Sequence, residues 1–119
     1  MNPLVKLAVR ARVGRGWAIL ETRGRKSGLP RQNPVGNGLI GDTFWIVAEH
    51  GPRAGYVRNI RADPQVRVLV NGAWRTGTAH PLPDDDPVAR QRQLPSGNAR
   101  VVRLMGTDLL TVRIDLDPE

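Results

Sequence analysis

The feature that most restricts the fold of this chain is a pair of β-prone runs joined by only two residues. Residues 66–70 read VRVLV, Asn71-Gly72 follows at once, and residues 73–80 resume a strand pattern. Asn-Gly is a strong hairpin signal, because both residues tolerate positive φ. Strands joined this tightly pair antiparallel, since a parallel pair needs a crossover of a dozen residues or more. Gly41-Asp42 marks a second hairpin, ahead of residues 43–49 (TFWIVAE), a β-branched and aromatic run that is hydrophobic on both faces. Residues 17–22 read as an opening strand with residues 24–30 as its turn. Residues 29–39 read as a weaker second strand, where Pro34 indicates an edge or a bulge. Near the end of the chain, Leu110, Val112, Ile114 and Leu116 alternate with Thr111, Arg113 and Asp115, which predicts a strand with the first set inward and the second outward.

Helical signals are short. Residues 54–62 place Tyr56, Val57 and Ile60 on one side and stop at Asp63-Pro64. Asp84-Asp85-Asp86-Pro87 is a helix start, with acids at the positive dipole end and proline in the first turn, for a helix over residues 88–94. Ser96 opens a further short helix through Met105. Residues 4–12 place Leu4, Val5, Ala8 and Val9 on one face. That segment reads either as a terminal helix packed on the domain or as a basic amphipathic element touching a membrane surface. Hairpins dominate and no βαβ crossover is apparent. The expectation is a mainly β (α+β) chain, an antiparallel barrel-like sheet rather than a Rossmann domain. It forms one domain over residues 1–119, with residues 1–16 as an N-terminal basic amphipathic segment.

Composition narrows the chemistry. There is no cysteine, which excludes disulfides, thiolate catalysis and zinc–thiolate sites. No apolar run approaches the ~20 residues needed to span a bilayer, and no signal peptide is visible, so the expected location is cytoplasmic. The net charge of +7 is uneven: residues 1–80 carry 13 cations and 4 acids, residues 81–119 carry 5 cations and 7 acids. A field of that sign over the first two thirds attracts anions without choosing among them.

The cations concentrate in Arg23-Gly24-Arg25-Lys26-Ser27-Gly28-Leu29-Pro30-Arg31, and no acid occurs from Thr22 to Gly41. Arginine forks grip phosphate oxygens two at a time, lysine adds a point charge, and glycines let backbone N–H groups approach. The run reads equally as a solvated basic turn. It matches neither GxGxxG nor the Walker pattern. His50 and His80 sit at strand ends, where hydrogen-bonding histidines outnumber bases. Ser27, Ser96 and the threonines lack a His/Asp partner set, so a hydrolytic triad is not expected. Asp84–Asp86 is better explained by helix capping than by a metal. A phosphate grip and an apolar sheet without an evident acid, base or nucleophile suit a protein whose cofactor carries the chemistry.

The segment from Gly24 through Arg25, Lys26, Ser27, Gly28, Leu29, Pro30, Arg31, Gln32 and Asn33 to Pro34 resembles the GRKSG-x-PR-x-x-P signature of the deazaflavin-dependent nitroreductase family. A second block is similar to that family too: Val47-Ala48-Glu49-His50-Gly51, then Tyr56-Val57-Arg58-Asn59-Ile60-Arg61-Ala62-Asp63-Pro64-Gln65-Val66. The resemblance covers residues 17–81 and implies a split β-barrel of the flavin (FMN)-binding type. It also implies coenzyme F-420, a hydroxylated deazaflavin with a phosphate-bearing oligoglutamate tail. By the same resemblance Arg25, Lys26, Ser27, Gly28 and Arg31 grip the phosphate and acidic tail, and Asn33 and Pro34 shape the groove beside them. Ala48, Glu49, His50 and Gly51 present backbone to the ring, with Tyr56 and Asn59 lining the same site. The family members that reduce nitroimidazoles share a tyrosine-rich C-terminal segment. Here residues 88–106 hold no aromatic, which directs the expectation to a branch linked to quinone, enone or lipid-like acceptors.

Three functions follow in order. The first is an F-420-dependent oxidoreductase that passes a hydride from the reduced cofactor to a small or apolar acceptor in a water-excluding pocket, with no side chain committed as proton donor. The second is a carrier that binds the deazaflavin, or FMN, without turnover. The third is an anionic-surface or nucleic-acid module, disfavoured because the few aromatics lie in strands rather than on a basic stacking platform. Peripheral membrane contact and a homodimer follow by analogy alone.

Overall fold

A computed structural model describes residues 17–94 and 109–118. The helices expected over residues 4–12 and 96–105 lie outside the described residues. Among the described residues seven strands form one antiparallel sheet: β1 (Trp17–Arg23), β2 (Pro30–Gly36), β3 (Leu39–Ile40), β4 (Thr43–Ala48), β5 (Gln65–Val70), β6 (Ala73–Leu82) and β7 (Leu110–Leu116), in the order β2-β1-β5-β6-β7-β4-β3. A 3₁₀ turn at Gly51–Arg53 leads into α1 (Gly55–Ala62), and α2 (Pro87–Arg92) precedes the last strand.

The strongest hairpin forms as the sequence dictates. Asn71 and Gly72 take φ of 52° and 83°, the geometry of a two-residue primed turn, and Val70 pairs with Ala73. Pro34 lies in β2, an edge strand, where a missing N–H costs no ladder bond on the open side. The expected strand over residues 29–39 is in fact two. It breaks at Asn37-Gly38, where the Gly38 carbonyl accepts from Trp45 N at 3.0 Å and Asn37 Oδ1 accepts from Leu39 N at 3.1 Å. A Cβ on Gly38 would lie 1.9 Å from the Trp45 carbonyl oxygen, so the chain closes on itself here only through glycine.

The core runs through the sheet. Leu20, Phe44, Val68, Val112 and Ile114 are fully buried, with Val57 and Ile60 of α1 plugging one end. Burying side chains of this size contributes roughly 1.5–3 kcal/mol each relative to exposure. Val35 of β2 and Ile46 of β4 join the same cluster. These strands stand at or next to opposite ends of the sheet, so the sheet curls until its two ends face one another, which makes the split β-barrel. A second cluster, Ile19 and Leu69 under Trp74, occupies the outer face.

β7 follows its predicted alternation with one difference. Thr111 is on the outward set yet fully buried, because α2 packs over β4 and β7. The Asp86 carboxylate accepts from Val88 N and Ala89 N at 3.1 and 3.2 Å, capping α2 as the acidic run implied.

Candidate functional site

The turn between β1 and β2 is built by its own backbone. Gly24 N donates to the Leu29 carbonyl and Gly28 N to the Gly24 carbonyl, both at 2.8 Å. Gly28 holds φ of 73°, a left-handed conformation that costs any other residue energy. Ser27 Oγ accepts from Leu29 N at 3.2 Å, and so braces the turn from inside.

The turn is fixed to α1 by one side chain. Asn59, 5 % exposed, accepts at Oδ1 from Arg25 N (3.2 Å) and Arg25 Nη1 (2.8 Å), and donates from Nδ2 to Thr22 Oγ1 (3.0 Å). A neutral amide therefore orients a guanidinium without cancelling its charge.

Three cavities run along one side of the molecule. The first, about 180 Å³, lies in the turn between Arg25, Lys26, Ser27, Arg31 and Asn59. The second, about 460 Å³, continues past Arg25, Arg31, Gln32, Asn33, Gly55 and Asn59. Neither lining contains a carboxylate. The third, about 190 Å³, lies in the seam where β2 meets β4, walled by Val35, Ile46, Val47, Ala54 and Leu94 with Glu49 and His50. Arg25, Arg31 and Asn59 line the first two, and Tyr56 lines the second and third. The result is a basic groove that leads past a tyrosine to an apolar cleft.

The residues singled out in the sequence fall along this path. Arg25, Lys26, Ser27, Arg31, Asn33 and Asn59 line the groove, Pro34, Glu49 and His50 line the cleft, and Tyr56 joins them. Gly28 shapes the turn without lining any of the three cavities. Ala48 and Gly51 are buried and line none of the three cavities. Asn59 sits at the turn end of the path. His80 lies elsewhere, 3.2 Å from Asp115. Leu94 and Ile46 belong to the path and were not foreseen, and Gln32 and Val47 stood in the two blocks without a role; for Leu94 no local signal could have placed it, since its neighbours come from residues 34–56.

The outer surface handles charge differently. Arg67 clasps Glu21 through Nε (2.6 Å) and Nη2 (2.9 Å), a pairing that holds the Glu21 carboxyl below its ordinary range. Arg90 clasps Asp85 at 3.0 and 3.3 Å and lowers its pKa likewise. No cluster of three or more metal-ligating side chains occurs among the described residues.

A family model described as F420H(2)-dependent quinone reductase matches residues 5–117. An F420H(2)-dependent quinone reductase of Mycobacterium tuberculosis is 38% identical over 73 residues, covering 58% of this chain and 48% of the relative. The chain thus spans about half the length of the curated relatives it matches. Among solved structures, an F420-H2 dependent reductase (FDR-A) is similar at a TM-score of 0.65 and 18% identity, over 84% of this chain and 94% of that one. A chain described as a domain-swapped dimer matches at 0.64 and 16%, over 94% and 93%. HutZ, the heme storage protein from Vibrio cholerae, matches at 0.63 and 16%, over 99% and 91%. These structural likenesses establish the shared split-barrel fold.

Proposed function

The chain belongs to the F420H(2)-dependent quinone reductase family, and on that premise we propose that it binds reduced coenzyme F-420 and reduces a quinone. The observation that carries this reading is the continuous path from an acid-free basic turn, past Tyr56, to an apolar seam. Its donor set fits the cofactor. Arg25, Lys26 and Arg31 would hold the phosphate and acidic tail, and the cleft at Glu49, His50 and Tyr56 would seat the ring. The chemistry supplied by reduced F-420, when bound, is a hydride for the quinone, which with one proton becomes a hydroquinone.

This chain's own residues bind, orient and exclude water. Asn59 holds one arm of the Arg25 fork in place before any anion arrives, which lowers the ordering cost of binding. Val35, Ile46, Ala54 and Leu94 keep the reacting space apolar. Enones and other lipid-like acceptors are narrower alternatives for the same cleft. No helix among the described residues is long and apolar enough to cross a membrane. A cytoplasmic location with peripheral contact where quinones reside, a phosphate-binding role for the turn and a homodimer are parts of the same proposal.

The test is a fluorescence titration with F-420 and FMN side by side, followed by anaerobic oxidation of reduced F-420 with menadione. Saturable F-420 binding and quinone-dependent oxidation above the protein-free rate are expected. Absence of binding overturns the reading; binding without turnover across quinones, enones and unsaturated lipids leaves a carrier.

A further inference from the structure

Leu94 is 7 % exposed and lines the seam cavity with Val47, Glu49, His50 and Tyr56, yet it takes no part in the basic groove. Its placement is set by the segment before it. Arg90 spans that segment: Nε and Nη2 donate to Asp85 at 3.3 and 3.0 Å, and the guanidinium carbon lies 3.9 Å over the Trp45 ring. Nη1 donates to Gln93 Oε1 at 3.2 Å. One side chain thereby ties the turn that opens α2, the outer face of β4 and the residue immediately before Leu94. A guanidinium stacked on indole and paired with a carboxylate is held far more firmly than a solvated arginine.

We infer that Leu94 is the wall of the seam cavity that meets the electron acceptor and sets its size, and that the Asp85–Arg90–Trp45 clamp holds that wall in place. The inference rests on the quinone-reductase reading. A cofactor tail in the basic groove brings the ring in past Tyr56, and Leu94 reaches the same cavity from a separate part of the chain. An isobutyl group offers a polar ring no hydrogen bond, but it suits the fused hydrocarbon ring or alkyl tail of a quinone. Apolar walls discriminate by volume, about tenfold for a change of this kind. Leu94 is thus a specificity residue, and Asp85, Arg90 and Trp45 are positioning residues.

The experiment compares kcat/KM for menadione with that for toluquinone, which lacks the fused ring, and measures F-420 affinity for each variant by fluorescence. Leu94→Ala should raise the menadione-to-toluquinone ratio about tenfold. Leu94→Phe should lower the ratio, and the volume-conserving Leu94→Met should leave it near its starting value. F-420 affinity should change less than the ratio does, because the basic groove that would hold the tail does not include Leu94. Arg90→Gln should shift the ratio in the direction of Leu94→Ala, and Arg90→Lys should restore part of it, a graded pattern that lost stability alone would not produce. A ratio that does not move in Leu94→Ala and Leu94→Phe overturns the inference. So does a loss of F-420 affinity that slows both acceptors equally, which would make Leu94 part of the cofactor seat. Should the unmodified chain bind no F-420, the quinone-reductase reading fails by itself. The wall is then judged by quenching of tryptophan fluorescence by the two quinones on the cofactor-free protein, where an unchanged preference in Leu94→Ala overturns it.

Discussion

The outer face of the sheet and the groove treat arginine in opposite ways. Outside, Arg67 sits on Glu21, Arg90 on Asp85 and Arg113 on Asp115, at 2.6 to 3.0 Å. In the groove, Arg25, Lys26 and Arg31 have no carboxylate partner among the described residues, and Arg25 is steered by the amide of Asn59. Neighbouring sequence explains part of this, since no acid occurs from Thr22 to Gly41. The remainder is tertiary. Position 59 faces a guanidinium from a helix more than thirty residues away, as Glu21 faces Arg67, and it holds Asn where an acid would neutralise the charge. The contrast separates cations paired within this fold from cations without a carboxylate partner among the described residues, which the proposed function assigns to an anion from outside.

The strongest way to break the contrast is to empty the groove of charge. Replacing Arg25, Lys26 and Arg31 together with alanine should weaken F-420 binding roughly a thousandfold, at ~1.5 kcal/mol or more for each charge-assisted hydrogen bond removed. The urea midpoint should hardly change, because these side chains are exposed. Asn59→Asp makes the groove resemble the outer face. It keeps the shape of the bracket but pairs Arg25 internally, and F-420 affinity measured by fluorescence should fall about tenfold. Asn59→Ala instead strands the Thr22 hydroxyl and the Arg25 N–H, and denaturant unfolding should show a loss of about 2 kcal/mol. Gly28→Ala strains a turn held at φ of 73° and should cost about 1 kcal/mol by the same measurement.

The smallest effect lies on the outer face. Glu21 is held below its ordinary pKa, chiefly by the hydrogen bond from Arg67, so it contributes stability above its unfolded value, near 4.3. That contribution is lost as pH falls from there through the lowered folded value. Glu21→Gln should therefore be less stable than the unmodified chain at pH 7 by no more than about 1 kcal/mol, since Arg67 is half exposed. The gap should close on acidification below about pH 4, as followed by thermal melts across pH.

Much of this was legible because it was local. Asn71-Gly72 specified a turn, alternation in residues 110–116 specified a face, and the acid-free run around Gly28 marked the groove. What escaped depended on contacts distant in sequence. The run over residues 29–39 could not announce its break, because Gly38 yields to the approaching backbone of Trp45. Thr111 reads as an outward polar residue until α2 covers it. Asn59 came into view through a resemblance, which set it beside Tyr56; its hydrogen bonds to Arg25 and Thr22 needed the folded chain. Leu94, in a polar stretch without periodicity, reaches the cleft only once the sheet has curled.

The central claim is that the turn's charge, rather than the cleft alone, selects the cofactor. It is tested most directly by titrating the protein with F-420 and with its deazaflavin ring stripped of phosphate and glutamates, before and after neutralising Arg25, Lys26 and Arg31. The account predicts that the intact protein binds the complete cofactor far more tightly than the bare ring, and that the neutralised protein binds the two alike. An undiminished preference for the complete cofactor in the neutralised protein would contradict it.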